Sequence, residues 1–102
     1  MSDKYLLDEN RNVYPVHDLL TWAKGFEEMD HHVAFTPMPG GFIVSTIFLG
    51  LNFNHLSHPP HLFETMVFNP QGHVVSAMRC STWDQAEMQH QGAVARAGGA
   101  LQ

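Results

Sequence analysis

Residues 42 to 51 read FIVSTIFLGL, and no other stretch of the chain restricts the fold as strongly. The run is rich in β-branched and aromatic side chains, which favour the pleated surface of a sheet. Strand alternation sends Phe42, Val44, Thr46 and Phe48 to one face and Ile43, Ser45, Ile47 and Leu49 to the other. Both faces are apolar, so the sequence predicts a central strand covered on both sides. Two more strands fit beside it. In LFETMVF, 62 to 68, Phe63, Thr65 and Val67 alternate with Leu62, Glu64, Met66 and Phe68. NPQG at 69 to 72 is turn chemistry leading into HVVSAMRC, 73 to 80. The three runs predict an antiparallel meander.

The flanks supply the other elements. Tyr5 to Leu7 and Val13 to Val16 enclose the polar spacer DENRN and predict a small hairpin, with Pro15 confining its second arm to an edge. From Pro15 or Val16 to Met29, the apolar residues Val16, Leu19, Leu20, Ala23 and Phe26 recur at helical spacing. Gly25 inside that helix marks a close-packing position or the start of fraying. Residues 32 to 37 fit a further strand, and TPMPGG at 36 to 41 a turn. After the meander, Ser81 or Thr82 caps a last helix, Thr82 and Gln85 having capping-box spacing. Trp83, Ala86, His90, Ala93 or Val94, and Ala97 share one face of it, and Gly98-Gly99 ends it. The sequence thus predicts one domain over 1–102 with a frayed tail at 98–102. Its class is α+β: an antiparallel sheet of about four to five strands with two helices packed on one face. Something must then cover the second face, and a symmetric homodimer, formed through that face or an edge strand, is expected.

Charge narrows the partners. Five Lys and Arg stand against ten Asp and Glu, a formal net charge of −5, and the cations are scattered. A surface that tracks phosphates needs clustered cations, so neither nucleic acid nor anionic membrane is an expected partner. No apolar run approaches the ~20 residues of a membrane span, and the Met-Ser-Asp-Lys start is not that of a signal peptide. Cys80 is the only cysteine, which excludes an internal disulfide and paired-cysteine zinc sites. A cytoplasmic protein is expected.

Candidate chemistry is sparse. HLSHPPHLFE spaces His55, His58, His61 and Glu64 by three. Pro59-Pro60 forbids a helix, and in a polyproline-II segment the outer histidines stand ~19 Å apart, so they share an ion only if the loop curls. A solvated histidine loop is the simpler expectation. Zinc or another divalent transition metal on His55, His58 and His61 is the one cofactor candidate. Glu64, an acid within an apolar strand, is costly to bury alone, and Arg79 on the adjacent strand is its natural partner. The two either form a structural ion pair or line a ligand pocket with His90. His90 itself fits a hydrogen-bonded core or interface histidine, and Cys80 a buried thiol. Glycine-rich phosphate loops, nucleophile elbows and dinucleotide fingerprints are all missing from the sequence.

In VSTIFLGL, PPHLFETMVF and RCSTWDQAEMQH the chain resembles a group of small bacteriophage- and prophage-encoded proteins of unknown function. Their pattern reads VSTVFLGLDH, then PPxLFETMVF, then RYSTWxxAxxxH. The likeness runs from about Tyr5 to Val94 and takes in Trp22, Gly50, Pro60, Glu64, Arg79 and His90. The chain departs from the pattern at Asn52-Phe53, where the group has Asp-His, and at residues 54 to 58, where it has a glycine-rich loop. His61 replaces an aliphatic residue, so the histidine triplet lies outside the likeness. The resemblance implies a viral accessory protein acting in the host cytoplasm by binding a host or phage protein, without a family reaction to borrow. The rival expectation is a small-molecule or metal-binding module, hydrolytic in one version, built on Glu64, Arg79, His90 and the loop histidines.

Overall fold

The computed structural model describes residues 3–53 and 58–99. Its elements follow in the order β1 (Tyr5–Leu7), β2 (Val13–Pro15), α1 (Leu19–Glu28), β3 (His32–Pro37), a 3₁₀ turn (Pro39–Gly41), β4 (Ile43–Phe48), β5 (Phe63–Phe68), β6 (Val74–Cys80) and α2 (Trp83–Gly99). The fold is α+β. Its main sheet is four-stranded and antiparallel in the order β3-β4-β5-β6, while β1 and β2 pair as a sheet of their own. The hairpin joins the rest through a Lys4–Leu51 bridge and the Tyr5 N–H, which donates to the Gly50 carbonyl at 2.8 Å.

Register follows from side-chain chemistry. Val44, Thr46 and Phe48 on β4 alternate with less buried neighbours, as do Phe63, Thr65 and Val67 on β5. The β5–β6 turn is locked by Asn69, whose Oδ1 accepts from the Gln71 and His73 amides at 3.1 and 2.9 Å. Gly72 supplies the positive φ of 85° that the turn requires.

One face of the main sheet receives α2. The helix begins at a reciprocal cap: the Gln85 N–H donates to Thr82 Oγ1 at 3.1 Å, while Gln85 Oε1 accepts from the Thr82 and Ser81 amides. Its buried stripe is Ala86, His90, Ala93 and Ala97. Two apolar clusters result: Phe48, Leu62, Phe63, Cys80 and Ala86 near the helix start, and Val44, Val67, Ala93 and Ala97 near its end. The first is extended by the hairpin and α1 through Tyr5, Leu7, Val13, Phe26 and Met29.

α1 departs from the expected pattern. It starts at Leu19, capped by Asp18, whose carboxylate accepts from the Thr21 N–H at 2.8 Å and its hydroxyl at 2.6 Å. Leu19 and Leu20 are 61% and 78% exposed, and the helix has no fully buried residue. The inward stripe is instead Trp22, Gly25, Phe26 and Met29, also at helical spacing. Trp22 Nε1–H donates to the Tyr5 carbonyl at 2.9 Å, and Leu6 packs where a Cβ on Gly25 would lie. The hairpin therefore selects which of two overlapping apolar stripes turns inward. Gly25 is a close-packing position, as one of its two expected roles required.

The second sheet face is not covered by either helix. α2 packs against the face bearing Val44, Thr46 and Val67, and α1 packs against β1. The expected cover over Ile43, Ile47, Met66 and Phe68 is not supplied by any helix among the described residues.

Candidate functional site

The uncovered face is a grid set by register. Pro37, Ile43, Phe68 and Val74 align across the four strands, then Phe35, Ser45, Met66 and Ala77, then His32, Ile47, Glu64 and Arg79. The first row is wholly apolar and the second is broken only by Ser45. Phe35 is 58% exposed, and Val74 and Val75 about half exposed. Exposed apolar side chains scattered singly are ordinary; contiguity across strands is what sets this face apart.

Its charged row is internally matched. Arg79 Nε donates to Glu64 Oε2 at 3.0 Å, with Glu64 the more buried partner. Phe53 lies against the guanidinium, 5.3 Å from ring centroid to Cζ. At the far edge, Asp30 accepts from the His32 N–H and bonds its ring Nδ1, both at 3.0 Å, which holds the Asp30 carboxyl below the usual range. The face is thus apolar at its centre with its charges paired at one end.

The structure brings Glu64 and Arg79 together and leaves His90 on the opposite face, across the sheet. His90 occupies a polar belt between the two apolar clusters. Its Nε2 and Nδ1 each lie 2.8 Å from a threonine hydroxyl, of Thr36 and Thr46 respectively, and Thr46 Oγ1 lies 2.7 Å from Thr65 Oγ1. A neutral ring satisfies this chain: Nδ1 accepts from Thr46, Nε2–H donates to Thr36, and Thr65 donates to Thr46. Burial without a carboxylate partner pushes the His90 pKa down. The ring is occupied as a structural pin rather than presented to solvent.

Of the loop histidines, His58 and His61 are exposed and His55 lies outside the described residues. Among the described residues no three His, Cys, Asp or Glu side chains gather closely enough to hold a metal ion. Cys80 is buried, its Sγ 3.9 Å from the Thr82 carbonyl, and burial pushes its thiol pKa up. A thiol held protonated is a poor nucleophile. No described helix is long and apolar enough to cross a membrane.

Two contacts lay beyond the sequence. Phe53 over Arg79 joins a loop to a strand, and Arg11, at φ 66° in the hairpin tip, stacks 4.6 Å over the Trp83 ring. Their nearest sequence signal is the departure at Asn52-Phe53, which marked the loop without naming its partner. No protein family, curated protein or solved structure matches this chain. The site therefore defines a class by its physics alone, a small α+β scaffold presenting an apolar antiparallel sheet face.

Proposed function

We propose that this is a non-catalytic accessory protein of the bacteriophage type, a homodimer acting in the host cytoplasm by binding a host or phage protein through the uncovered sheet face. The observation that carries the proposal is the apolar grid of Ile43, Ile47, Met66, Phe68 and Phe35, partly or largely exposed and under no helix among the described residues, while α2 packs on the opposite face over Val44, Thr46 and Val67. Further support comes from the candidate reactive groups. Glu64 and Arg79 neutralise each other, His90 is engaged at both ring nitrogens, and Cys80 is buried. Arg79 and Cys80 border one open groove of about 580 Å³, which neither Glu64 nor His90 lines.

The test is affinity capture from infected and uninfected host cells, comparing the native chain with Ile43→Lys and Met66→Lys. Both positions are partly exposed, so the variants keep the native circular dichroism spectrum. The proposal expects one protein captured by the native chain and lost with both variants. Equal capture by native and variant chains would refute use of this face.

A further inference from the structure

The two edges of the main sheet are built differently. β3 carries a bulge between His32 and Ala34 and ends on Pro37, devices that blunt an edge against further pairing. β6 runs seven residues without proline and with a single charge, Arg79. Its irregularity falls at its start, opposite Val67 and Phe68. The Arg79 carbonyl points out of the ladder, accepting from Gln89 Nε2 at 3.0 Å, and alternation turns the Ala77 N–H and C=O the same way.

The flanks of β6 are apolar as well. Of the nine large hydrophobic side chains exposed among the described residues, four lie on or beside this edge: Val74, Val75, Met78 and Met88. On the helix side, Arg96 Nη2 rests 3.5 Å from the Met78 sulfur. Gln89 Oε1 is buried on the same rim with no hydrogen-bond partner among the described residues. An open groove of about 580 Å³ runs there between Pro59, His61 and Met88.

We infer that a second copy of this chain docks on β6, strand against strand and antiparallel, about a two-fold axis at Ala77. The pairing rests on the homodimer proposed above and specifies its surface. Centring on Ala77, the midpoint of β6, overlaps all seven residues and sets Val75 opposite Arg79 of the other copy. No like charges face each other, and the one charge at the edge is already matched by Glu64.

Area supports this edge. Seven residues at ~3.4 Å give a contact ~24 Å long, and sheet plus helix layers ~20 Å deep give ~480 Å² per copy. The total comes close to the ~1,000 Å² at which specific interfaces begin, so the dimer should dissociate on dilution. The pairing also completes the binding face. One copy offers four strands ~4.8 Å apart and ~20 Å long, about 400 Å², half the ~800 Å² per partner of a standard interface. Eight continuous strands supply the whole.

The experiment is light scattering over a concentration series on the native chain, Ala77→Pro, Val75→Lys and Ile43→Lys, with oxidative cross-linking of Ala77→Cys. Across the axis the two Ala77 Cα atoms would stand ~5.5 Å apart, within disulfide reach. The expected results are a native dimer and a cross-linked dimer as the main product of Ala77→Cys but not of the native chain. Ala77→Pro removes an outward N–H from each copy, so two bonds, and should weaken the dimer about thirtyfold. If that variant fails to fold, Val75→Lys and the cross-link carry the test. A monomer at every concentration would overturn both dimer and interface. A dimer that resists Ala77→Pro and Val75→Lys and does not cross-link would overturn the β6 interface alone. Loss of the dimer with Ile43→Lys alone would place the second copy on the open face instead.

Discussion

Replacing Thr46 by valine keeps the shape of a side chain that is 0% exposed and deletes one oxygen. That oxygen faces both His90 Nδ1 at 2.8 Å and Thr65 Oγ1 at 2.7 Å. Two hydrogen bonds are lost, each worth about 1 kcal/mol net, and His90 Nδ1 is left buried without a partner, at a further cost of about 1–2 kcal/mol. The expected destabilisation is therefore about 3–4 kcal/mol, a large share of the ~5–15 kcal/mol that holds a domain of this size. In thermal unfolding followed by circular dichroism it corresponds to a fall in Tm of roughly 12–25 °C. Adding His90→Leu to Thr46→Val removes the stranded ring nitrogen, so the double variant should lose less than the sum of the two single changes. A Thr46→Val protein within about 2 °C of the native Tm, or strict additivity in the cycle, would refute the polar belt as the pin between α2 and the sheet.

Other outcomes follow from the same contacts. Because the folded-state pKa of His90 lies below its ordinary value of 6.5, the unfolded chain binds the proton more tightly; the contribution is complete above pH 6.5 and is lost as pH falls towards the folded value. Unfolding midpoints between pH 7.5 and 5 should fall more steeply for the native chain than for His90→Gln, and equal slopes would contradict this. Gly50→Ala should cost about 2–4 kcal/mol, since Gly50 holds a φ of 73° and its Cβ would strike the Phe26 ring; urea denaturation measures it, and a neutral result would remove that close approach. The Glu64–Arg79 pair is partly exposed, so Glu64→Gln should shift stability by no more than about 1 kcal/mol. A loss above about 3 kcal/mol in the same assay would mean that the pair carries the sheet rather than its surface.

How far the sequence reached depended on whether a contact is local or follows from alternation. The meander was legible because FIVSTIFLGL and LFETMVF are rich in β-branched and aromatic residues, and NPQG and the Thr82–Gln85 cap are signals contained within a few residues; with both strand faces apolar, which one α2 covers was not legible. The Glu64–Arg79 partnership was legible because one hairpin register sets them opposite each other. α1 was misread at its surface, since Leu19 and Leu20 form one apolar stripe and Trp22, Gly25, Phe26 and Met29 another. Only the hairpin decides between them. The four-stranded main sheet lies within the expected four to five strands, and the hairpin marked by the polar spacer forms, its three-residue strands pairing with each other as a second sheet. Most of the His90 belt was illegible for a different reason: Thr36, Thr46 and Thr65 come together only when three strands are in register and a helix crosses them. The sequence marked His90 as a hydrogen-bonded core residue without naming its partners.

Acting by binding through an open sheet face is the central claim, and site-specific photo-cross-linking at Met66 tests it most directly. A photoreactive side chain there, at the centre of the grid, should give one discrete heavier adduct in infected cells, while the same group at Leu20 on the exposed side of α1 gives none. Adducts of equal yield at both positions, or none at Met66 with the protein folded and abundant, would contradict it.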